Sequence, residues 1–205
     1  MIVACPDDLG QVCPKGWRTP LKVEKSTMLI WSLAALGLLL VTTGPAAAEI
    51  KSITPNGFEV ASTARIAAPP DRVYSALGEI SRWWSPSHTF SRDATNLSIE
   101  LRAGGCFCER LKDGGSVKHL EVIYALPGEG LRLRGALGPL QLEGVDGTLS
   151  WTLKPTEGDT NLTQSYVLGG YIRSGMEQWA PRVDKVLDEQ LQRLKSYVEG
   201  QGAAQ

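Results

Sequence analysis

The feature that most constrains this chain is a stripe of apolar residues near its C-terminus. Met176, Trp179, Val183, Val186, Leu187, Leu191, Leu194 and Val198 recur at steps of three and four, which places them on one face of an α-helix about 36 Å long. A single helix with such a face gains its stability from packing, so an equally broad apolar surface must cover it. The preceding sequence offers strands for that purpose. Phe58, Val60, Ala64 and Ile66 alternate with Glu59, Thr63 and Arg65, the period of a half-buried strand over 57–66. Pro69-Pro70 then start a short helix, with Asp71 in its first turn and Val73, Leu77 and Ile80 on one face, ending near Trp83. Six further strands follow, around Leu97–Leu101, Cys106–Leu111, Val117–Leu126, Leu131–Leu133, Leu149–Leu153 and Leu162–Leu168, with gaps short enough for hairpins. The order strand, helix, six strands, helix predicts an α+β fold: a curved antiparallel sheet of six or seven strands wrapped around the terminal helix. The domain is expected over 57–199, with 200–205 a flexible tail.

Residues 1–48 have a different character. Lys15, Arg18, Lys22 and Lys25 precede the apolar run Met28–Val41, and Ala46-Ala47-Ala48 follows. Positive segment, apolar run and A-x-A site in that order predict an export signal cleaved after Ala48 and a periplasmic or secreted protein. The run reaches the length of a membrane span only by including Thr42, Thr43, Gly44 and Pro45, so no stable membrane insertion is expected after cleavage. The mature chain of about 157 residues would bury roughly 70% of its unfolded surface and can fold without disulfide or metal. A net charge of -1 leaves no basic stripe to displace phosphate counterions, which excludes nucleic acid as a partner. No serine-hydrolase elbow, phosphate loop or H-E-x-x-H motif occurs, and Gly128-Glu129-Gly130 lacks the third glycine of a dinucleotide fingerprint. No cofactor is therefore expected.

Several short motifs fall in a particular order: Ala68-Pro69-Pro70-x-x-Val73-Tyr74, Trp83-Trp84-x-Pro86, Gly104-Gly105, Pro127-Gly128-x-x-Leu131, Thr148-x-x-Trp151-x-Leu153 and Leu162-Thr163. Together they resemble the START-like helix-grip (SRPBCC, Bet v-like) superfamily over about 58–199, closest to the homologues of the activator of the heat-shock-protein ATPase. The resemblance implies a ligand-sized cavity between sheet and C-terminal helix. It also implies roles such as lipid, sterol, polyketide or hormone binding, cyclisation or dehydration, or chaperone stimulation. An exported protein would not meet the cytosolic chaperone. The expected function is thus the binding of a small, largely apolar molecule in the cavity. A cyclase or dehydratase using Glu109 with Tyr124 or Tyr166 is the enzymatic alternative. An interaction protein with a filled cavity, contacting partners through the loop 135–146, is the third.

Candidate ligand-binding residues follow from the strands. Pairing Cys106–Leu111 with Val117–Leu126 across Gly114-Gly115 sets Cys108 opposite Glu121 and Arg110 opposite His119. One face of this hairpin then carries Cys106, Cys108, Arg110, His119 and Glu121. The other carries Phe107, Glu109, Leu111, Leu120, Val122 and Tyr124 and is expected to look toward the helix. Glu109 is the leading candidate, with a surface salt bridge as its plain alternative. Trp83, Trp84, Trp151, Tyr166 and Trp179 supply aromatic surface for core or cavity, and His88 falls in the irregular segment near the expected opening. Cys106, Cys108, His119 and Glu121 share a face, yet C-x-C is too short for a typical zinc site, so no metal is expected. Residues two apart on a strand lie about 6.6 Å apart, which disfavours a disulfide and predicts reduced thiols.

Overall fold

The computed structural model describes residues 49–202, so the expected export signal lies outside the described residues. Eight strands form one open antiparallel sheet. They are β1 (Glu49–Thr54), β2 (Gly57–Ile66), β3 (Leu97–Ile99), β4 (Cys106–Arg110), β5 (Ser116–Leu126), β6 (Gly130–Arg134), β7 (Gly144–Pro155) and β8 (Thr160–Tyr171), ordered β1-β2-β8-β7-β6-β5-β4-β3. Helix α1 (Pro70–Gly78) and three 3₁₀ turns fill the connection from β2 to β3, and α2 (Met176–Gly202) closes the chain. The α+β helix-grip architecture expected from the sequence is the one observed. Its extra strand is β1, which is almost wholly exposed and so carries no alternating apolar pattern to betray it. Helix α2 runs through Gly202, and the rest of the expected tail lies outside the described residues.

The stripe on α2 faces the sheet through Met176, Ala180, Val183, Leu187, Leu191, Leu194 and Val198, all buried. Polar side chains fix the helix in place where apolar contact alone would let it slide. Gln164, buried on β8, donates to the Leu187 carbonyl at 2.8 Å and accepts from the Trp151 indole at 2.8 Å. Gln190 accepts from the Ser85 amide at 2.8 Å, and Arg193 donates to the Trp83 carbonyl at 2.7 Å. These last two bonds tie α2 to the irregular 83–93 segment. Each satisfies a group whose burial unpaired would cost about 1–3 kcal/mol. Trp179, expected on the core stripe, is only half-buried: its indole donates to the Ser174 hydroxyl at 2.9 Å and the Arg182 guanidinium lies over its ring, while Met176 and Ala180 beside it are buried.

Candidate functional site

Two irregularities in β5 decide what faces the helix. Phe107 pairs with Leu120 but Cys108 pairs with Lys118, so His119 is a surplus residue with no partner on β4. A bulge of this kind turns its extra residue away from the regular alternation. His119 and Leu120 are consequently both buried, and the imidazole sits on the inner face. The expected register, with His119 on the outer face opposite Arg110, is corrected accordingly: Arg110 pairs with Ser116 and Cys106 with Glu121. A second shift lies between Val122 and Tyr124. It leaves Tyr124 41% exposed with Arg132 over its ring, so Tyr124 is not on the cavity side as the alternation predicted.

Glu109 is fully buried and its carboxylate is the hub of this region. Oε2 accepts from the Phe90 amide at 3.1 Å and contacts His119 Nε2 at 3.0 Å, while Oε1 accepts from the Ser91 amide at 2.5 Å. Burial pushes the Glu109 carboxyl up, but the hydrogen bonds from Ser91, Phe90 and His119 outweigh it and hold the carboxyl below its usual range. His119 is shifted down, since desolvation of the imidazolium exceeds the attraction of Glu109. At neutral pH the pair is therefore a carboxylate and a neutral imidazole, with Nε2–H donating to Glu109 and Nδ1 left as an acceptor. Phe90 stacks on the imidazole at 5.8 Å between centroids and Phe107 lies 5.0 Å away on a tilt.

Next to this pair is a cavity of about 360 Å³, within the size range of small-molecule sites. Trp84, Phe90 and Phe107 form one wall, Val183, Val186 and Leu187 of α2 another, and Leu137 with Leu140 of the 3₁₀ turn Gly138–Leu142, between β6 and β7, a third. His119 lines it, as do Ser87, His88, Thr89, Trp179 and Arg182. The lining is mostly apolar with a few polar groups, the composition that favours a flat or aliphatic ligand held by one or two hydrogen bonds.

Of the sequence candidates, Trp84, His88 and Trp179 border this cavity, and Glu109 stands one residue behind it through His119. His88 is paired with Glu189 at 3.0 Å across to α2. Trp83, Trp151 and Tyr166 are core. Trp83 donates to the Ala76 carbonyl at 2.7 Å, and Tyr166 donates to the Gly135 carbonyl at 2.9 Å. Burial raises the Tyr166 phenol above its ordinary value, so it stays protonated. Neither tyrosine paired with Glu109 in the sequence reading reaches it among the described hydrogen bonds. Cys106 and Cys108 form a disulfide, against expectation. Their Cα atoms are 5.3 Å apart, closer than the roughly 6.6 Å of a regular strand, which removes the spacing objection. No cluster of three or more metal-ligating side chains occurs among the described residues.

Residues 57–199 match the family described as polyketide cyclase / dehydrase and lipid transport. The chain belongs to this family, and through it to the SRPBCC helix-grip superfamily. Solved structures of the same fold include CalU16 from Micromonospora echinospora, with a TM-score of 0.53, 17% identity and coverage of 77% of this chain and 86% of that one. EF2215 from Enterococcus faecalis, a conserved protein of unknown function, has a TM-score of 0.51, 17% identity and coverage of 74% and 77%. A protein from Arthrobacter aurescens has a TM-score of 0.51, 15% identity and coverage of 75% and 91%. At these identities the likeness is one of fold. The comparison with curated proteins finds no match.

Among the residues that line the cavity of this polyketide cyclase family member, sequence reasoning placed His119 on the wrong face. A signal for it exists: Val117 is in phase with one face, Leu120 and Val122 with the other, so the apolar alternation slips by one residue between them.

Proposed function

We propose that this protein is an exported carrier that binds a small, largely apolar molecule in the cavity between α2 and the β4–β5 end of the sheet. The observation that carries this is the cavity itself, with aromatic walls and the single deeply buried polar wall made by His119. Membership of a family described by polyketide cyclisation and lipid transport supports the same ligand class. Export is supported by the order of charged, apolar and small residues in 15–48, and by the Cys106–Cys108 disulfide, a bond that persists in oxidising compartments. Native mass spectrometry of protein purified from the envelope of its own cells tests the carrier reading. A reproducible additional mass of one small molecule, lost on denaturation, is expected, and a mass equal to the bare polypeptide in repeated preparations would contradict it. A mature N-terminus at Glu49 tests export, and recovery of an intact 28–48 segment in membranes would replace it with anchoring.

The Glu109–His119 contact favours an enzymatic role as a second reading. A neutral imidazole oriented by a carboxylate can take a proton through Nδ1 from a ligand hydroxyl or an acidic C–H beside a carbonyl, the step that opens a cyclisation or dehydration. In that role Glu109 is a positioning residue and His119 the base. His119→Gln would then abolish turnover while leaving binding of the same molecule within about threefold, whereas a carrier shows no turnover to lose.

A further inference from the structure

The Cys106–Cys108 disulfide lies on the outer face of β4, and both residues are half-buried. On a regular strand their Cα atoms would be about 6.6 Å apart. They are 5.3 Å apart here. Opposite this contracted span, β5 carries its surplus residue, His119. A shortened strand facing a lengthened one is a single mismatch seen from two sides, and the bulge is what turns the imidazole inward to Glu109 and the cavity. The bond also closes a loop of only three residues, where a disulfide constrains the unfolded chain least, so its effect is mainly on local native geometry.

We propose that this disulfide is a redox switch for the polar wall of the cavity. Oxidised, it holds β4 short and His119 against Glu109. Reduced, β4 returns to the ordinary strand rise, regular pairing with β5 competes with the bulge, and the imidazole leaves the cavity wall. The reductant is a small thiol or an exposed protein dithiol. Its thiolate attacks Sγ of Cys106, forming a mixed disulfide and releasing Cys108 as a thiolate, which is then protonated. A second thiol attacks the outer sulfur, giving the oxidised reductant and the Cys106 thiol, so two electrons and two protons pass to the disulfide. Lys118, the register partner of Cys108, is ion-paired with Glu121, the register partner of Cys106, so charge does not distinguish the two sulfurs and attack at either gives the same products. The consequence for the ligand rests on the binding proposed above, while the movement of His119 does not.

The chain has two histidines, so labelling both rings with ¹⁵N gives a spectrum in which His88 is the internal control. Full-length protein is recorded oxidised, after dithiothreitol, and after re-oxidation, with alkylation and peptide mapping to separate Cys106 and Cys108 from Cys5 and Cys13. Both thiols should appear without denaturant, and the His119 ring signals should move on reduction and return on re-oxidation while those of His88 stay. Cys106→Ser/Cys108→Ser should reproduce the reduced spectrum. Binding of N-phenyl-1-naphthylamine should weaken by about tenfold on reduction. Thiols that become reactive only after unfolding, or His119 signals identical in both redox states, would overturn the switch. Movement of His119 with no probe bound in either state would uphold it and count against the carrier reading instead.

Discussion

Replacing Glu109 by glutamine keeps the side-chain volume but changes its hydrogen-bonding capacity. The carboxylate accepts from two backbone amides and from the imidazole. An amide oxygen at the Oε1 position keeps the Ser91 bond. The amide nitrogen, at the Oε2 position, can donate to His119 only if the imidazole changes tautomer, and it then faces the Phe90 N–H donor to donor. One buried amide is left unpaired, at about 1–3 kcal/mol, and the charge-assisted character of the other bonds is lost, for a total of about 2–4 kcal/mol. This reverses the expectation for an unpartnered buried carboxylate, whose neutralisation would be harmless. Urea unfolding of wild type and Glu109→Gln at pH 7 measures the difference. The pH dependence gives a second readout. Glu109 is lowered in the folded state, so its contribution is fully present above the unfolded value near 4.5 and is lost as pH falls through the folded one. His119 is also lowered, so stability declines as pH falls below its unfolded value near 6.5 toward the folded one, because the unfolded chain takes up the proton first. Glu109→Gln should show a shallower acidic limb than wild type, with the decline due to His119 kept and the rest carried by the other lowered carboxyls, Asp93, Glu143 and Glu189. A loss below about 0.5 kcal/mol at pH 7 would refute the hub assignment, since surface carboxylates behave that way.

Gly147→Ala should destabilise the fold by about 1–3 kcal/mol, because the added methyl would lie 2.7 Å from the Tyr166 ring, which is itself anchored on the Gly135 carbonyl; a thermal melt within experimental error of wild type would argue against this contact. Trp179→Ala should cost less than the roughly 3–5 kcal/mol of a fully buried tryptophan, since the ring is half-buried, but should weaken probe binding because the ring borders the cavity; paired urea titration and probe fluorescence separate the two effects.

The long helix was readable because burial of one face imposes a three-and-four spacing, and seven of the strands because one buried face imposes alternation. β1 escaped because its exposure removes that constraint. Glu109 was legible as an inward residue from the same alternation. His119 was not, because the bulge breaks the alternation at that residue, and the disulfide was missed for the same reason: both depend on a local departure from regular strand geometry. Phe90 and Ser91 reach Glu109 from an irregular segment, where no period links sequence to direction.

The central claim is that the cavity beside His119 takes up an apolar molecule. Val183 lies on α2 in the cavity wall, so Val183→Trp should fill the space. Titration of N-phenyl-1-naphthylamine into wild type and this variant, each checked for an intact thermal transition, tests the claim most directly. The account predicts saturable one-to-one binding to wild type with a Kd on the order of micromolar and at least about tenfold weaker binding to the filled variant. Equal affinities for the two folded proteins, or no saturable binding to wild type, would contradict it.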